Sequence, residues 1–169
     1  MILKNLDKKF LINSFLFLLI FLLDRLSKIY VVYLDNKFLE SEIFSSKYLN
    51  ITLIWNEGIA FGLLNFEKDH SYNLLTVLIF IIIVVIIFMS IKSQGLRKYS
   101  LLMILGGALG NVFDRIFYKA VPDFIDFHVG NFHWFIFNIA DVFITFGVFF
   151  MILFEFVGNN KNKSEYEKY

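Results

Sequence analysis

Asp24, Asp114 and Asp141 each stand in a long apolar run, where a carboxylate costs about 2.5 to 3.5 kcal/mol on insertion scales and calls for a cavity, a partner or a function. Two of them share a further feature. Asn111 precedes Asp114 by three residues and Asn138 precedes Asp141 by three, a spacing that puts amide and carboxylate on one side of a helix. Two carboxylates brought close together cannot both ionise easily, so one keeps a proton while the other acts as base. Such a pair can hydrolyse a peptide bond. The ionised member takes a proton from attacking water, and the protonated member polarises the carbonyl and later protonates the leaving amine. The same residues admit two other uses: hydrogen-bonded glue between helices, and proton carriage in a transporter. A transporter would usually have more spans or an internal repeat, and a scaffold has no reason to place two Asn-x-x-Asp pairs at one depth.

The elements that must position these groups are membrane helices. Four segments, about 10–33, 74–91, 99–117 and 135–157, are long and apolar enough to cross a hydrocarbon core about 30 Å thick. The second is apolar all round and is expected to face lipid. Lys4, Lys8 and Lys9, then Lys92, Arg97 and Lys98, then Lys161, Lys163 and Lys168 mark the cytoplasmic side, so both termini lie there. The acidic loop 34–73 then lies outside. At 1.5 Å per residue, Asp24, Asp114 and Asp141 all reach roughly 21 to 22 Å above the inner surface. Gly107, Gly110, Asn111 and Asp114 share one stripe of the third span, and Gly106 with Gly110 forms a small-xxx-small pattern that permits close helix approach. In the outer loop, Leu49, Ile51, Leu53 and Trp55 alternate with Asn50, Thr52, Ile54 and Asn56, which predicts a small sheet at the membrane surface. A turn is expected at Asn56, Glu57 and Gly58, leading into Ile59, Ala60, Phe61 and Gly62.

Composition narrows the field. Of 169 residues, 58% are hydrophobic and 23 are Phe, more apolar surface than a soluble domain can bury. The chain reads as a single membrane domain, 1–169, with a disordered mixed-charge tail at 159–169. A net charge of +1 spread over many segments offers no face for nucleic acid, and the absence of Cys excludes disulfides and thiol nucleophiles. The basic, then apolar, start resembles a signal peptide, but no small-residue cleavage site follows Leu23, so retention is expected. Ser27 beside Lys28 would suit a Ser-Lys protease, but adjacent helical residues point about 100° apart. His70, His128 and His133 have no carboxylate or histidine at helical metal-ligand spacing, so no metal and no cofactor is expected.

The residues also carry a resemblance. Gly106-Gly107-Ala108-Leu109-Gly110-Asn111, then Asp114-Arg115, and Phe137-Asn138-Ile139-Ala140-Asp141 resemble signature blocks of the bacterial lipoprotein signal peptidases, or signal peptidases II. Asp24 to Lys28 is similar to the family's first-span block, Asn56, Gly58, Ala60 and Phe61 to its outer-loop block, and Val121, Asp123, Phe124 and Asp126 to its third-loop block. The resemblance spans about residues 10 to 157. It implies a polytopic α-helical aspartyl protease of the bacterial cytoplasmic (inner) membrane: four transmembrane helices, a small periplasmic β-sheet, cytoplasmic termini and an active site near the periplasmic face. Its substrates would be prolipoproteins, cut just before a diacylglyceryl cysteine, and the cyclic peptide globomycin would inhibit it. Asp114 and Asp141 match the catalytic pair on this reading. Asn111 and Asn138 would orient the pair, and Asp24, Lys28, Asn56, Gly58, Gly107, Gly110, Arg115 and Ala140 would bind substrate or support the site. Two departures stand out. Arg25 stands where the family often has Gln, and Lys119-Ala120-Val121-Pro122-Asp123 stands where it often has Gly before Val-Val-Asp. Neither is expected to touch the pair.

Overall fold

The computed structural model describes residues 8–38, 42–58 and 68–166, with only the backbone described at 68–72 and 158–166. The order is α1 (Lys8–Phe38), β1 (Glu42–Ser45), β2 (Leu49–Asn56), α2 (Lys68–Lys92), α3 (Gly95–Tyr118), β3 (Val121–Val129), β4 (Phe132–Phe137) and α4 (Ile139–Tyr166). Ile59, Ala60, Phe61 and Gly62 of the expected turn lie outside the described residues.

Three of the described helical stretches are long and apolar enough to cross a membrane: Asn73–Lys92, Gly95–Tyr118 and Ile139–Val157. Among them α3 is central and largely buried. Its Leu101, Ile104, Leu105 and Val112 pack with Ile83 and Ile86 of α2, Phe17 of α1, and Ile144 and Met151 of α4. Much of the described remainder of α2, including Leu78, Phe80, Ile81 and Phe88, is exposed, an apolar surface suited to lipid.

Glycines set how closely α1 and α4 approach α3. A Cβ at Gly106 would press on Ile20 of α1, and one at Gly110 would overlap the Asp24 carboxylate. At Gly107 it would meet the Ala140 carbonyl of α4. The expected single stripe is therefore split, because Gly106 and Gly110 admit α1 while Gly107, a third of a turn round, admits α4.

The sheet is antiparallel in the order β1-β2-β3-β4. The alternation at 49–56 is β2, but two of the four strands come from the segment between α3 and α4. Phe135 to Phe137, expected to open the last span, instead pair with β3, as in Ile125↔Phe137 and Asp126↔Ile136. Period 2 and period 3.6 are not separable over so short an aromatic run, and pairing decides it. The helix α4 accordingly starts at Ile139, and it continues to Tyr166, into the stretch expected to be disordered. That stretch contains neither Pro nor Gly to break a helix. Val31 of α1, Leu53 of β2 and Phe124 of β3 form a second small core that seats the sheet on the helix ends.

Candidate active site

On α1, Asp24 and Lys28 are one helical turn apart and ion-paired at 2.9 Å. Across the interface on α3, Asn111 and Asp114 complete a buried cluster. Lys28 Nζ donates to Asn111 Oδ1 and to Asp114 Oδ2, both at 2.8 Å. Arg25 forks onto Asp114, with Nη1 to Oδ1 at 2.5 Å and Nη2 to Oδ2 at 2.6 Å, and also reaches Asp24 Oδ2 at 2.9 Å. Asp24 Oδ1 accepts from the Ala140 backbone N–H at 3.1 Å, in the unsatisfied first turn of α4. The four charged groups sum to zero, the condition under which ion pairs survive away from water. Ser27 hydrogen-bonds back to the Asp24 carbonyl at 2.8 Å and takes no part.

Asp114 was expected to be one of the catalytic pair, and the structure places it among cations. Its side chain is fully buried, and both oxygens are engaged by cations, which makes it a strut between α1 and α3. Arg25, expected to lie clear of the pair, binds Asp114 directly. Asp24 and Asp114 meet across the α1–α3 interface through the same two cations.

Asp141 belongs to a different constellation. Asn138 precedes α4 and forms a reciprocal cap with it: Asp141 N–H donates to Asn138 Oδ1 at 3.1 Å, and Asn138 N–H donates to Asp141 Oδ2 at 3.2 Å. The Asn-x-x-Asp spacing that looked like a mid-helix stripe is a capping box. Asn111 Nδ2 donates to Asp141 Oδ1 at 2.8 Å, tying the cap to α3. The remaining amide group of Asn138 donates to Asn111 Oδ1 at 3.2 Å and to Asp123 Oδ1 at 2.6 Å.

Asp123 belongs to the third-loop block of the resemblance and was not among the expected site residues. It lies on β3, 4% exposed, held by Asn138 and by Asn56 Nδ2 at 2.8 Å to its other oxygen. Burial pushes its carboxyl above the ordinary range, and the neighbouring Asp141 charge pushes the same way; hydrogen bonds from Asn56 and Asn138 and the charge of Lys28 oppose this in part. One asparagine therefore bridges Asp123 and Asp141, whereas among the described residues Asp114 connects to Asp141 through Lys28 and Asn111. The signal for Asp123 was a carboxylate among Val121, Pro122, Phe124 and Ile125, a strand buried on both faces at that point.

The expected supporting residues fall around these centres. Asn56 also fixes the following turn by accepting from Gly58 N–H at 2.7 Å, with Gly58 in the left-handed region at φ 82°. Arg115 lies one turn beyond Asn111 and approaches its carbonyl at 3.4 Å. Beside Asp141 opens a cavity of roughly 560 Å³ lined by Phe127, Val129, Phe132, Phe135 and Phe146, apolar on nearly every wall.

Fold and site together define a multi-pass membrane protein with a carboxylate centre buried where its helices meet a small sheet. The family described as Signal peptidase (SPase) II matches residues 16–157. The chain is 48% identical over 158 residues to a lipoprotein signal peptidase of Pelagibacter ubique, covering 94% of this chain and 95% of that one. It is 36% identical to that of Anaplasma phagocytophilum, over 88% of this chain and 94% of the relative. Two solved structures of bacterial membrane enzymes share the fold, with TM-scores of 0.66 and 0.68 at 25% and 28% identity, covering 89% and 83% of this chain and 90% of each of theirs. The chain belongs to the signal peptidase II family and is a protease.

Proposed function

We propose that the chain removes signal peptides from prolipoproteins, cutting N-terminal to a diacylglyceryl cysteine, with Asp123 and Asp141 as the acid–base pair. The observation that carries this is the Asn138 bridge, which gives one hydrogen bond to Asp123 while its backbone N–H and Oδ1 hold Asp141. Asp123, the carboxyl that burial holds protonated to higher pH, polarises the scissile carbonyl. Asp141, accepting from Asn111 and Asn138, takes a proton from water as it attacks. The tetrahedral intermediate collapses as Asp141 passes the proton it took from water to the leaving amide nitrogen, while Asp123 recovers its proton from the hydroxyl that becomes the new carbonyl oxygen. Asn111 and Asn138 keep the two carboxyls oriented, and the Asp24–Arg25–Lys28–Asp114 cluster holds α1 against α3 beneath them. The phenylalanine-lined cavity beside Asp141 offers the acyl chains of the substrate an apolar wall, which aligns the lipidated cysteine with the pair.

In the membrane, α1 supplies the fourth span, the lysine-rich termini stay cytoplasmic, and the sheet with its carboxylate centre lies at the periplasmic face of the inner membrane. Globomycin, a cyclic peptide, occupies the same cavity and blocks cleavage.

The test is cleavage of a diacylglyceryl-modified prolipoprotein in detergent, read by gel shift, with thermal melting of each variant alongside. Asp123→Asn and Asp141→Asn fold and lose at least a thousandfold in rate. Asp114→Asn loses stability first, because it leaves a buried cation underpaired. A folded Asp123→Asn that turns over at the wild-type rate sinks the assignment. A folded but inactive Asp114→Asn beside an active Asp123→Asn would restore Asp114 to the pair.

A further inference from the structure

Away from the carboxylate centre, the β3–β4 hairpin gathers Asp126, His128 and His133. The residues Asp126 and His128 are two apart on β3, and His128 stands opposite His133 of β4 in the strand register. The two imidazoles stack with centroids 5.0 Å apart and planes 21° from parallel. His133 Nδ1 lies 2.8 Å from Asp126 Oδ2, which Asn50 Nδ2 also approaches at 3.5 Å. One ligating atom from each of the three side chains lies within 4.8 Å of the others. Helical spacing misses this trio because its geometry comes from strand pairing.

Two atoms of the trio are left over. Asp126 is 5% exposed, and among the described residues its Oδ1 has no hydrogen-bond partner; His128 Nδ1 is likewise buried and unpartnered. Buried polar atoms without partners are rare, because each costs about 1 to 3 kcal/mol. A cation among the three side chains would serve both. His133, half exposed, leaves a path from solvent.

We propose that Asp126, His128 and His133 form a binding site for a first-row transition-metal dication, with Zn²⁺ its natural probe. Two imidazoles and one carboxylate suit Zn²⁺, Ni²⁺ or Cu²⁺, whereas Mg²⁺ and Ca²⁺ want oxygen ligands throughout. Three protein ligands leave a fourth position for water. Small rotations close the set, since ligands about 2.0 Å from a tetrahedral metal stand about 3.3 Å apart. The bound ion clips β3 to β4 at the hairpin, next to the aromatic wall that His128 helps to line. The site is independent of how the carboxylate pair works.

The experiment is calorimetric titration of ZnCl₂ into the full chain in detergent with any affinity tag removed. Wild type binds one Zn²⁺ saturably and ignores MgCl₂ at the same concentration. His128→Ala, His133→Gln and Asp126→Asn each weaken binding at least tenfold, while His70→Ala, at the chain's remaining histidine, leaves it unchanged. Melting of each variant without zinc checks folding, and His133→Gln, at a half-exposed position, serves as the variant expected to fold. Titration with Co²⁺ gives a second readout: the wild type shows the strong visible band of four-coordinate Co²⁺, and His133→Gln does not. Absence of saturable binding by the wild type, or wild-type affinity in folded His133→Gln and Asp126→Asn, overturns the proposal, as does a Co²⁺ spectrum that stays weak and six-coordinate.

Discussion

At the residue scale, four aspartates of similar appearance do different work because of what surrounds them. Asp24 and Asp114 meet Arg25 and Lys28, whereas Asp123 meets two amides and a buried wall. The folded chain binds the Asp123 proton more tightly than the unfolded chain does. Its contribution to stability is therefore fully present below the ordinary carboxylate range and is lost as pH rises through the raised folded value. Melting temperature measured across acid to neutral pH should fall through that window in the wild type, with the fall reduced in Asp123→Asn. Cleavage should lose rate over the same window on its alkaline limb. Arg25 gives a second expectation. Arg25→Ala leaves two buried carboxylates with one lysine and should cost about 3 kcal/mol or more in detergent unfolding. Arg25→Gln, which can still donate to Asp114, should cost less and keep cleavage. Sequence spacing located these residues well but could not assign their charge partners, since Arg25 reaches Asp114 only once α1 and α3 dock.

At the element scale, reliability followed the length of the pattern. The long apolar runs of α2 and α3 and the alternation of β2 were readable, because many residues repeat one period. The boundary at Asn138 was not. Phe135 to Phe137 satisfy both a helix and a strand, and only Ile125 and Asp126 on the partner strand select the second. Lys119 shows a related effect. It ends α3 in the left-handed region at φ 59°, a conformation that glycine adopts at low cost and lysine does not. Lys119→Gly should stabilise the protein by about 1 kcal/mol, seen as a higher melting temperature without change in cleavage.

At the scale of the whole molecule, the sequence gives the membrane class through sheer apolar content, and the glycines on two sides of α3 explain how one helix can hold both α1 and α4 close. Of the sheet only β2 was legible, since β1 is too short to show a period and β3 and β4 hide in what looks like a short loop and the start of a span. This matters for the site. Asp123 rides on the sheet and Asp141 on the first turn of α4, with Asn138 standing at the junction of β4 and α4. On the proposed function the gap between the two acids straddles two elements, a sheet and a helix long and apolar enough to cross a membrane, with the sheet at the membrane surface. A bilayer that is too thick or too thin tilts the helices beneath a sheet that stays at the interface. Cleavage rates in nanodiscs of graded acyl length should peak at one thickness and fall on either side, while binding of a soluble, unlipidated signal-peptide analogue should vary far less. The membrane would then act as the spacer that sets the gauge between two acids.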